Sequence, residues 1–134
     1  MAHVIVVEDD ATNARVAQRV LARMGGHDVT LIEDGDEVLR LCDARAVDLV
    51  IMDVSLANTR VDGRAVDGAE LTRLIRDRCG TRSPAILLVT AHAMRGDRVR
   101  LLAASGADDY ICKPIVDHRA LVDRVEALLV RRAA

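Results

Sequence analysis

The stretch Val4-Ile5-Val6-Val7-Glu8-Asp9-Asp10 decides the fold. Four consecutive β-branched residues are typical of a strand that is buried on both faces of a parallel sheet, and three acids end that strand abruptly. Four more apolar runs of similar length follow, at residues 29–32, 49–52, 86–89 and 110–112. The sequence therefore predicts five short strands.

The segments between these runs have the spacing of amphipathic helices. One face of the first collects Ala17, Val20, Leu21 and Met24, and one face of the last collects Leu121, Val125, Leu128 and Leu129. Asp34 or Asp36 is expected to cap the second helix, the third contains Leu71, Leu74 and Ile75, and a fourth is expected over 94–104. Strands that alternate with helices predict an α/β protein with a doubly wound, flavodoxin-like (βα)5 parallel sheet in the order 2-1-3-4-5. In that order a site is expected at the carboxyl ends of the first and third strands.

The composition indicates one globular domain over residues 1–134, with no output domain expected. Hydrophobic residues make up 51% of the chain and charged residues 30%, as in ordinary globular proteins. The net charge of −2 and the pI of about 6.1 do not fit a nucleic-acid-binding protein. The start of the chain lacks the features of a signal peptide, and no run reaches the length of a membrane span, so a cytoplasmic protein without a membrane partner is expected. The three cysteines, Cys42, Cys79 and Cys112, are expected to be buried and reduced.

Acidic side chains follow the first and third strands directly. Glu8, Asp9 and Asp10 come after the first, and Asp53 comes after the third. Like charges brought to about 4 Å repel by several kcal/mol at an effective dielectric of about 20, so a cluster requires a cation or a shared proton. Oxygen ligands without histidine or cysteine favour Mg²⁺. The alternative is that these acids cap helices or lie in solvent, but their position on adjacent strand ends favours a metal site.

Two further side chains are expected at the same edge of the sheet. Thr90 ends the fourth strand, and Lys113 ends the fifth. A hydroxyl and an ammonium facing an acidic metal site are the groups that a phosphoryl group needs for its oxygens. Lys113 is the single lysine in a chain with eighteen arginines, which favours a specific role over a chance surface position. Lys113 precedes Pro114, and X-Pro bonds are usually trans.

Taken together, these motifs resemble the receiver domains of two-component response regulators. The resemblance rests on the ordered set Val6-Val7-Glu8-Asp9-Asp10, Met52-Asp53, Val89-Thr90-Ala91 and Tyr110-Ile111-Cys112-Lys113-Pro114. It covers the whole chain, and it is closest to receivers of hybrid kinases and single-domain regulators. Each fragment is weak alone, whereas the ordered set is specific.

The resemblance implies a role for each matching position. Asp53 would be the phosphoacceptor, Asp9 would bind Mg²⁺ directly, Glu8 would bind it through water, and the Ser55 carbonyl would complete the protein's ligands. Thr90 and Lys113 would contact the phosphoryl oxygens, the bond to Pro114 would be cis, and Tyr110 would change rotamer when Thr90 moves. Ser55 and His92 would set the lifetime of the phosphorylated state. The alternatives are a fixed aromatic at Tyr110 and a solvated loop residue at His92.

The resemblance also implies partners. A sensor histidine kinase or a histidine phosphotransfer protein would supply the phosphoryl group, an effector protein would receive the signal, and phosphorylation would promote a dimer. Such a domain catalyses only its own phosphorylation and dephosphorylation and is not an enzyme with an external substrate.

The segment from Val54 to Asp67 departs from the family pattern. Receivers usually carry Met-Pro shortly after the acceptor, where this chain has Leu56-Ala57, and the best match to the following Asp-Gly is Asp67-Gly68. The segment has no periodicity and reads as an inserted loop, either functional or a tolerated surface insertion.

Two other functions compete with the signalling switch. A Mg²⁺-dependent phosphatase with an aspartate nucleophile, of the haloacid-dehalogenase type, would need a second aspartate at the position of Ser55. A pseudo-receiver that only binds partners would not need the acids, Thr90 and Lys113 to be present together.

Overall fold

The structure is a computed structural model that describes residues 2–91, 95–113, 115 and 117–133, and for residues 95–99 and 133 it describes the backbone alone. Within these residues the strands are β1 (His3–Val7), β2 (Asp28–Leu31), β3 (Leu49–Asp53), β4 (Arg60–Val61), β5 (Arg64–Ala65), β6 (Ala85–Thr90) and β7 (Asp109–Cys112). The helices are α1 (Ala11–Arg23), α2 (Gly35–Asp43), α3 (Gly68–Cys79), α4 (Arg95–Ser105) and α5 (His118–Ala133), with a short 3-10 turn at Gly80–Arg82.

Five strands form one parallel sheet in the order β2-β1-β3-β6-β7. This is the predicted order 2-1-3-4-5, because β6 and β7 are the fourth and fifth strands of the sequence pattern. The register pairs Val7 with Met52 and Asp53 with Val89. The ends of β1, β3 and β6 therefore meet at one edge, and the flavodoxin-like (βα)5 fold is confirmed.

The alternation of side chains along the central strands creates two separate cores. Val4, Val6, Ile51 and Leu87 point to the side covered by α1 and α5. The intervening residues, such as Ile5 and Met52, pack with α2 and α3 on the other side. This double burial explains why β1, β3 and β6 are almost continuously apolar.

Aspartates cap four of the helices that the structure describes, and one of them is Asp117, whose carboxylate accepts from the Ala120 amide at 3.0 Å at the start of α5. Asp10 accepts hydrogen bonds from the Thr12 and Asn13 amides, at 2.9 and 3.1 Å. Asp34, rather than Asp36, caps α2, and Asp67 caps α3. Capping fixes where each helix starts, and thereby fixes the strand-to-helix junctions at the edge where the acids lie.

The segment expected to be an irregular loop contains an ordered hairpin. Strands β4 and β5 pair antiparallel, joined by Asp62 and Gly63 with positive φ angles of 51° and 78°. Asp-Gly with two positive φ angles is the two-residue turn that best matches the twist of a hairpin. The interpretation of this segment as lacking its own structure was therefore wrong.

Two smaller expectations also need correction. Met24, placed on the buried face of the first helix, is 45% exposed, because α1 ends at Arg23 and Met24 is its C-cap. Among the cysteines, Cys42 is buried as expected, but Cys79 is half-buried and Cys112 is exposed at the end of β7, near the edge of the sheet; all three are free thiols.

Candidate functional site

Three carboxylates converge at the carboxyl edge of the sheet. Glu8 follows β1, Asp9 comes next, and Asp53 ends β3, so the adjacency of the two strands brings them together. One oxygen from each lies within 4.8 Å of the others. Glu8 and Asp53 are buried, whereas Asp9 is partly exposed. The expected convergence is confirmed for these three acids, while Asp10 caps α1.

Lys113 joins two of these carboxylates. Its Nζ lies 3.0 Å from Glu8 Oε1 and 3.1 Å from Asp53 Oδ2. The residue is positioned by the last turn after β7, where its backbone amide donates to the Thr90 carbonyl at 2.8 Å. The lone lysine is thus a partly buried cation that pairs with two of the three acids.

Burial and mutual contacts shift the pKa values of Glu8, Asp53 and Lys113. Burial, together with the hydrogen bond to Asp53, raises the pKa of Glu8 to about 7. Burial also works to raise the pKa of Asp53, but hydrogen bonds from Glu8, Lys113 and the Ser55 amide lower it below its usual value. Burial works to lower the pKa of Lys113, yet its two carboxylate partners raise it. Asp53 is therefore the more acidic member of the carboxylate pair, and its contact with Lys113 favours the charged form of both groups.

Backbone groups of the β3–α3 connection contact the acids directly. The Ser55 amide donates to Asp53 Oδ1 at 3.2 Å, and the Ala57 amide donates to Asp9 Oδ2 at 2.6 Å. On the other side of Asp53, α3 begins at Gly68, where an added Cβ would lie 2.0 Å from the Asp53 carbonyl oxygen. The end of β3 is therefore held between the connection and the first turn of α3.

Of the remaining predicted site residues, the structure describes some and not others. Thr90 is buried at the end of β6, and Tyr110 is half-buried on β7, packed against the core cluster beneath α2 and α3. The register places Thr90 one residue beyond the partner of Asp53. His92 and Pro114 lie outside the described residues, so the roles assigned to them stay predictions.

Sequence reasoning missed two residues of this site. Asn13 donates from Nδ2 to Glu8 Oε1 at 3.2 Å, and Gly68 allows the close approach of α3 to Asp53. A signal existed for Asn13, because the third residue after a helix cap faces back toward the preceding strand end. Asp67-Gly68 was noticed only as a displaced motif.

The donor set fits a hard divalent cation. Three carboxylates on one edge supply oxygen ligands and no sulfur or nitrogen ligand, which is the chemistry of Mg²⁺ sites. Burial is the main cause of the raised pKa of Glu8, with the hydrogen bond to Asp53 and the negative charge of Asp53 adding to it, and a bound cation would favour the ionised form of both carboxylates.

A pocket of about 370 Å³ opens beside the acids, between α1 and the chain after β7. Glu8, Asp53 and Lys113 lie on its wall, with the apolar side chains of Val16, Ala17 and Ile115 among the others. Asp53 is buried, and it is one of the residues that line this pocket.

Comparison with known proteins identifies the family. The sequence model of the response regulator receiver domain matches residues 4–126. The chain belongs to the receiver domain family. A putative response regulator from Chloroflexus aurantiacus has the same fold, with a TM-score of 0.80 and 31% identity over 97% of this chain and 98% of that one. Receiver domains are signalling modules of two-component systems without a classical catalytic role, and this receiver has the family's phosphoacceptor switch architecture.

Longer relatives contain a similar domain. The chain is 35% identical over 120 residues to the sensor histidine kinase GacS of Pseudomonas protegens, covering 87% of this chain and 12% of the kinase. It is 34% identical to the transcriptional regulatory protein TorR of Escherichia coli, covering 96% of this chain and 50% of TorR. The chain thus spans at most about half the length of these relatives.

One solved neighbour bears on the metal. The receiver domain of the sensor histidine kinase PA1611 from Pseudomonas aeruginosa, with a magnesium ion coordinated in its active site cleft, has a TM-score of 0.77 and 30% identity over 96% of this chain and 98% of that domain. Receiver domains bind Mg²⁺ in an acidic active site, and Glu8, Asp9 and Asp53 form an acidic cluster in this chain. Within the part of the chain that the structure describes, no helix combines the length and the hydropathy that a membrane span requires.

Proposed function

We propose that this receiver accepts a phosphoryl group on Asp53 from a phosphohistidine and passes the signal on by protein–protein contact. The observation that carries the proposal is the juxtaposition of Asp53 with two further carboxylates and with the Lys113 ammonium at 3.1 Å, facing an open pocket. Each of these groups has a separate task in phosphoryl transfer.

Asp53 acts as the nucleophile. One of its carboxylate oxygens forms a bond to phosphorus while the phosphorus–nitrogen bond to the donor histidine breaks. The electron pair of that bond stays on the imidazole, which takes up a proton. The lowered pKa of Asp53 keeps the attacking group ionised near neutral pH.

Glu8, Asp9 and Asp53, with the carbonyl of Ser55, would hold Mg²⁺, with Glu8 acting through water. When bound, the ion neutralises charge on the phosphoryl oxygens. Lys113 supplies a second positive charge, and the Thr90 hydroxyl supplies a neutral donor. Asn13 and the Ala57 amide orient the carboxylates of Glu8 and Asp9, respectively.

The signal leaves through a change at the edge of the sheet. Thr90 moves toward the phosphoryl group, and Tyr110 on β7 then changes its rotamer. This change alters the surface near β7 and α4, and it favours contact with an effector protein or with a second phosphorylated copy.

The proposed partners are those with which receiver domains of this family pair. The donor is a sensor histidine kinase or a histidine phosphotransfer protein, and the place of action is the cytoplasm. Ser55, two residues after the acceptor, and His92, two residues after Thr90, are the positions that tune how fast water removes the phosphoryl group.

Intact-mass measurement tests the proposal. Incubation with acetyl phosphate and Mg²⁺ should add the mass of one phosphoryl group, and omission of Mg²⁺ should abolish the addition. Asp53→Asn should remain unmodified, whereas the control Asp109→Asn, which changes an acid of β7, should be modified like the wild type. Equal modification of wild type and Asp53→Asn would overturn the assignment.

A further inference from the structure

The inserted segment makes a direct hydrogen bond to the acidic site. The Ala57 amide donates to Asp9 Oδ2 at 2.6 Å, a short distance for a charge-assisted bond. The position of Ala57 is the one where the family pattern has proline, and proline has no amide hydrogen to donate. This chain therefore has a donor to Asp9 that the usual residue would not provide.

The segment that carries this donor is docked at three places. We call residues 57–66 the strap. At its start Ala57 contacts Asp9; in its middle the Asp62 amide donates to the Asp36 carboxylate at 3.1 and 3.3 Å. At its end Val66 is buried in the core beneath α2 and α3, and its amide donates to the Thr59 carbonyl at 3.0 Å.

The contact with α2 is tight along the backbone. A Cβ added to Gly35 would lie 2.6 Å from the Arg60 carbonyl oxygen and 2.7 Å from Val61 Cγ2. The strap therefore lies directly on the first turn of α2. This contact fixes the position of the strap, and with it the position of the Ala57 amide.

We propose that the strap is a specificity element of the metal site, in which the Ala57 amide holds Oδ2 of Asp9 and so selects Mg²⁺ over Ca²⁺. This inference rests on the proposed metal site. Ala57 is a positioning residue, since it acts on the metal through Asp9.

The selection follows from the ligand preferences of the two ions. Mg²⁺ demands near-ideal octahedral geometry, whereas Ca²⁺ accepts carboxylates through both oxygens in a flexible shell. The hydrogen bond from the Ala57 amide would compete with a metal ion for Oδ2, so that Asp9 would bind the ion more readily through Oδ1 alone. Two-oxygen binding by Asp9 is then disfavoured, which penalises Ca²⁺ more than Mg²⁺.

The test compares Ala57→Pro, which removes the amide hydrogen, with Ala57→Gly, which keeps it. Dissociation constants for Mg²⁺ and for Ca²⁺ are obtained from the rise of the melting temperature with each metal alone. Ala57→Pro should weaken Mg²⁺ binding about 10-fold, as expected for loss of an outer-shell partner, and should lower the ratio of the Ca²⁺ to the Mg²⁺ constant. Ala57→Gly should keep the wild-type ratio.

Two further variants separate this effect from a structural one. Asp36→Ala removes the acceptor that holds the middle of the strap and should lower the ratio by a smaller factor; it decides the question if Ala57→Pro does not fold. Arg64→Ala, an exposed position of the same hairpin, should leave the ratio unchanged. A ratio that is the same in the wild type, Ala57→Pro and Asp36→Ala would overturn the inference alone. A wild type whose melting temperature does not respond to Mg²⁺ would overturn the proposed metal site as well.

Discussion

The Lys113 ammonium lies between two carboxylates that are almost completely buried. Its partners Glu8 and Asp53 have side chains 6% and 4% exposed, and Lys113 itself is 22% exposed. Removing one partner of such a group leaves the others with an uncompensated desolvation cost. Without metal, Lys113→Met should therefore lower the free energy of unfolding by about 1–3 kcal/mol, measured by urea denaturation.

A matched control uses a surface ion pair. Arg119 pairs with Asp123 at 3.5 Å along one face of α5, where both side chains are more than 60% exposed. Arg119→Met should change stability less than Lys113→Met, because exposed pairs contribute little. Equal effects of the two substitutions would show that Lys113 is not coupled to the buried acids.

The three cysteines differ in reactivity because they differ in burial. Burial, with smaller effects of Cys79 and Asp43, raises the pKa of the Cys42 thiol to about 12, whereas Cys112 is exposed. Only the thiolate reacts, so iodoacetamide at pH 8 should modify Cys112 first and Cys42 only after unfolding. Peptide mass spectrometry over time checks the order, and early modification of Cys42 would contradict its buried position.

At the residue scale, the sequence predicted which acids cluster but not which contact each acid makes. Glu8, Asp9 and Asp10 are chemically similar neighbours, yet Glu8 is buried beside Lys113, Asp9 accepts from Ala57, and Asp10 caps α1. Moving the end of β1 by one residue would exchange these roles, because successive side chains of a strand point to opposite faces. The pattern of residue types does not locate that end to one residue.

At the scale of elements, α3 and β3 meet at a contact that only glycine permits. A Cβ on Gly68 would lie 2.0 Å from the Asp53 carbonyl oxygen and 2.7 Å from its carbon, and neither backbone atom can move without displacing the acceptor. Gly68→Ala should therefore cost about 1–3 kcal/mol of stability or more, and it should slow phosphorylation.

Gly80→Ala serves as the control for this substitution. Gly80 has a φ of 56° and a ψ of −128°, with nothing within 4 Å of an added Cβ, so alanine there costs only the strain of a backbone conformation that residues other than glycine rarely adopt. We expect it to lower the melting temperature without changing the phosphorylation rate. A Gly68→Ala protein that is phosphorylated at the wild-type rate would show that the contact does not position Asp53.

The hairpin shows why an element can be missed. Each of its strands has only two residues, too few for alternation to appear, and its Asp62-Gly63 turn was the one available signal. Its stability comes from tertiary contacts with Gly35 and Asp36 of α2, which lie more than twenty positions away. The hydrophobic periodicity of a sequence does not predict such short strands when their stability depends on residues far away in the chain.

At the scale of the whole molecule, the sheet was predictable because its pattern repeats five times. The buried strands β1, β3 and β6 are almost continuously apolar, and each is followed by a polar junction and a helix. Few connections are compatible with right-handed crossovers in so short a chain. The positions of the acids at the carboxyl edge follow from that topology.

Metal binding should stabilise the whole fold. A ligand at 100 times its dissociation constant adds about 2.7 kcal/mol to the free energy of unfolding, so saturating Mg²⁺ should raise the melting temperature. Asp9→Ala should abolish most of this rise while leaving the metal-free protein folded, because it removes a repelling charge. Asp10→Ala should lower stability by about 1 kcal/mol through loss of the α1 cap and keep the Mg²⁺ response. An equal Mg²⁺ response in wild type and Asp9→Ala would contradict the shared site.

The position of the phosphoryl group tests the central claim most directly. After exposure to acetyl phosphate and Mg²⁺, borohydride reduces an aspartyl phosphate to homoserine, which peptide mass spectrometry locates in the sequence. We predict homoserine at position 53 and unmodified side chains at Glu8, Asp9 and Asp10. Conversion at any of those three acids, with Asp53 unchanged, would contradict the account.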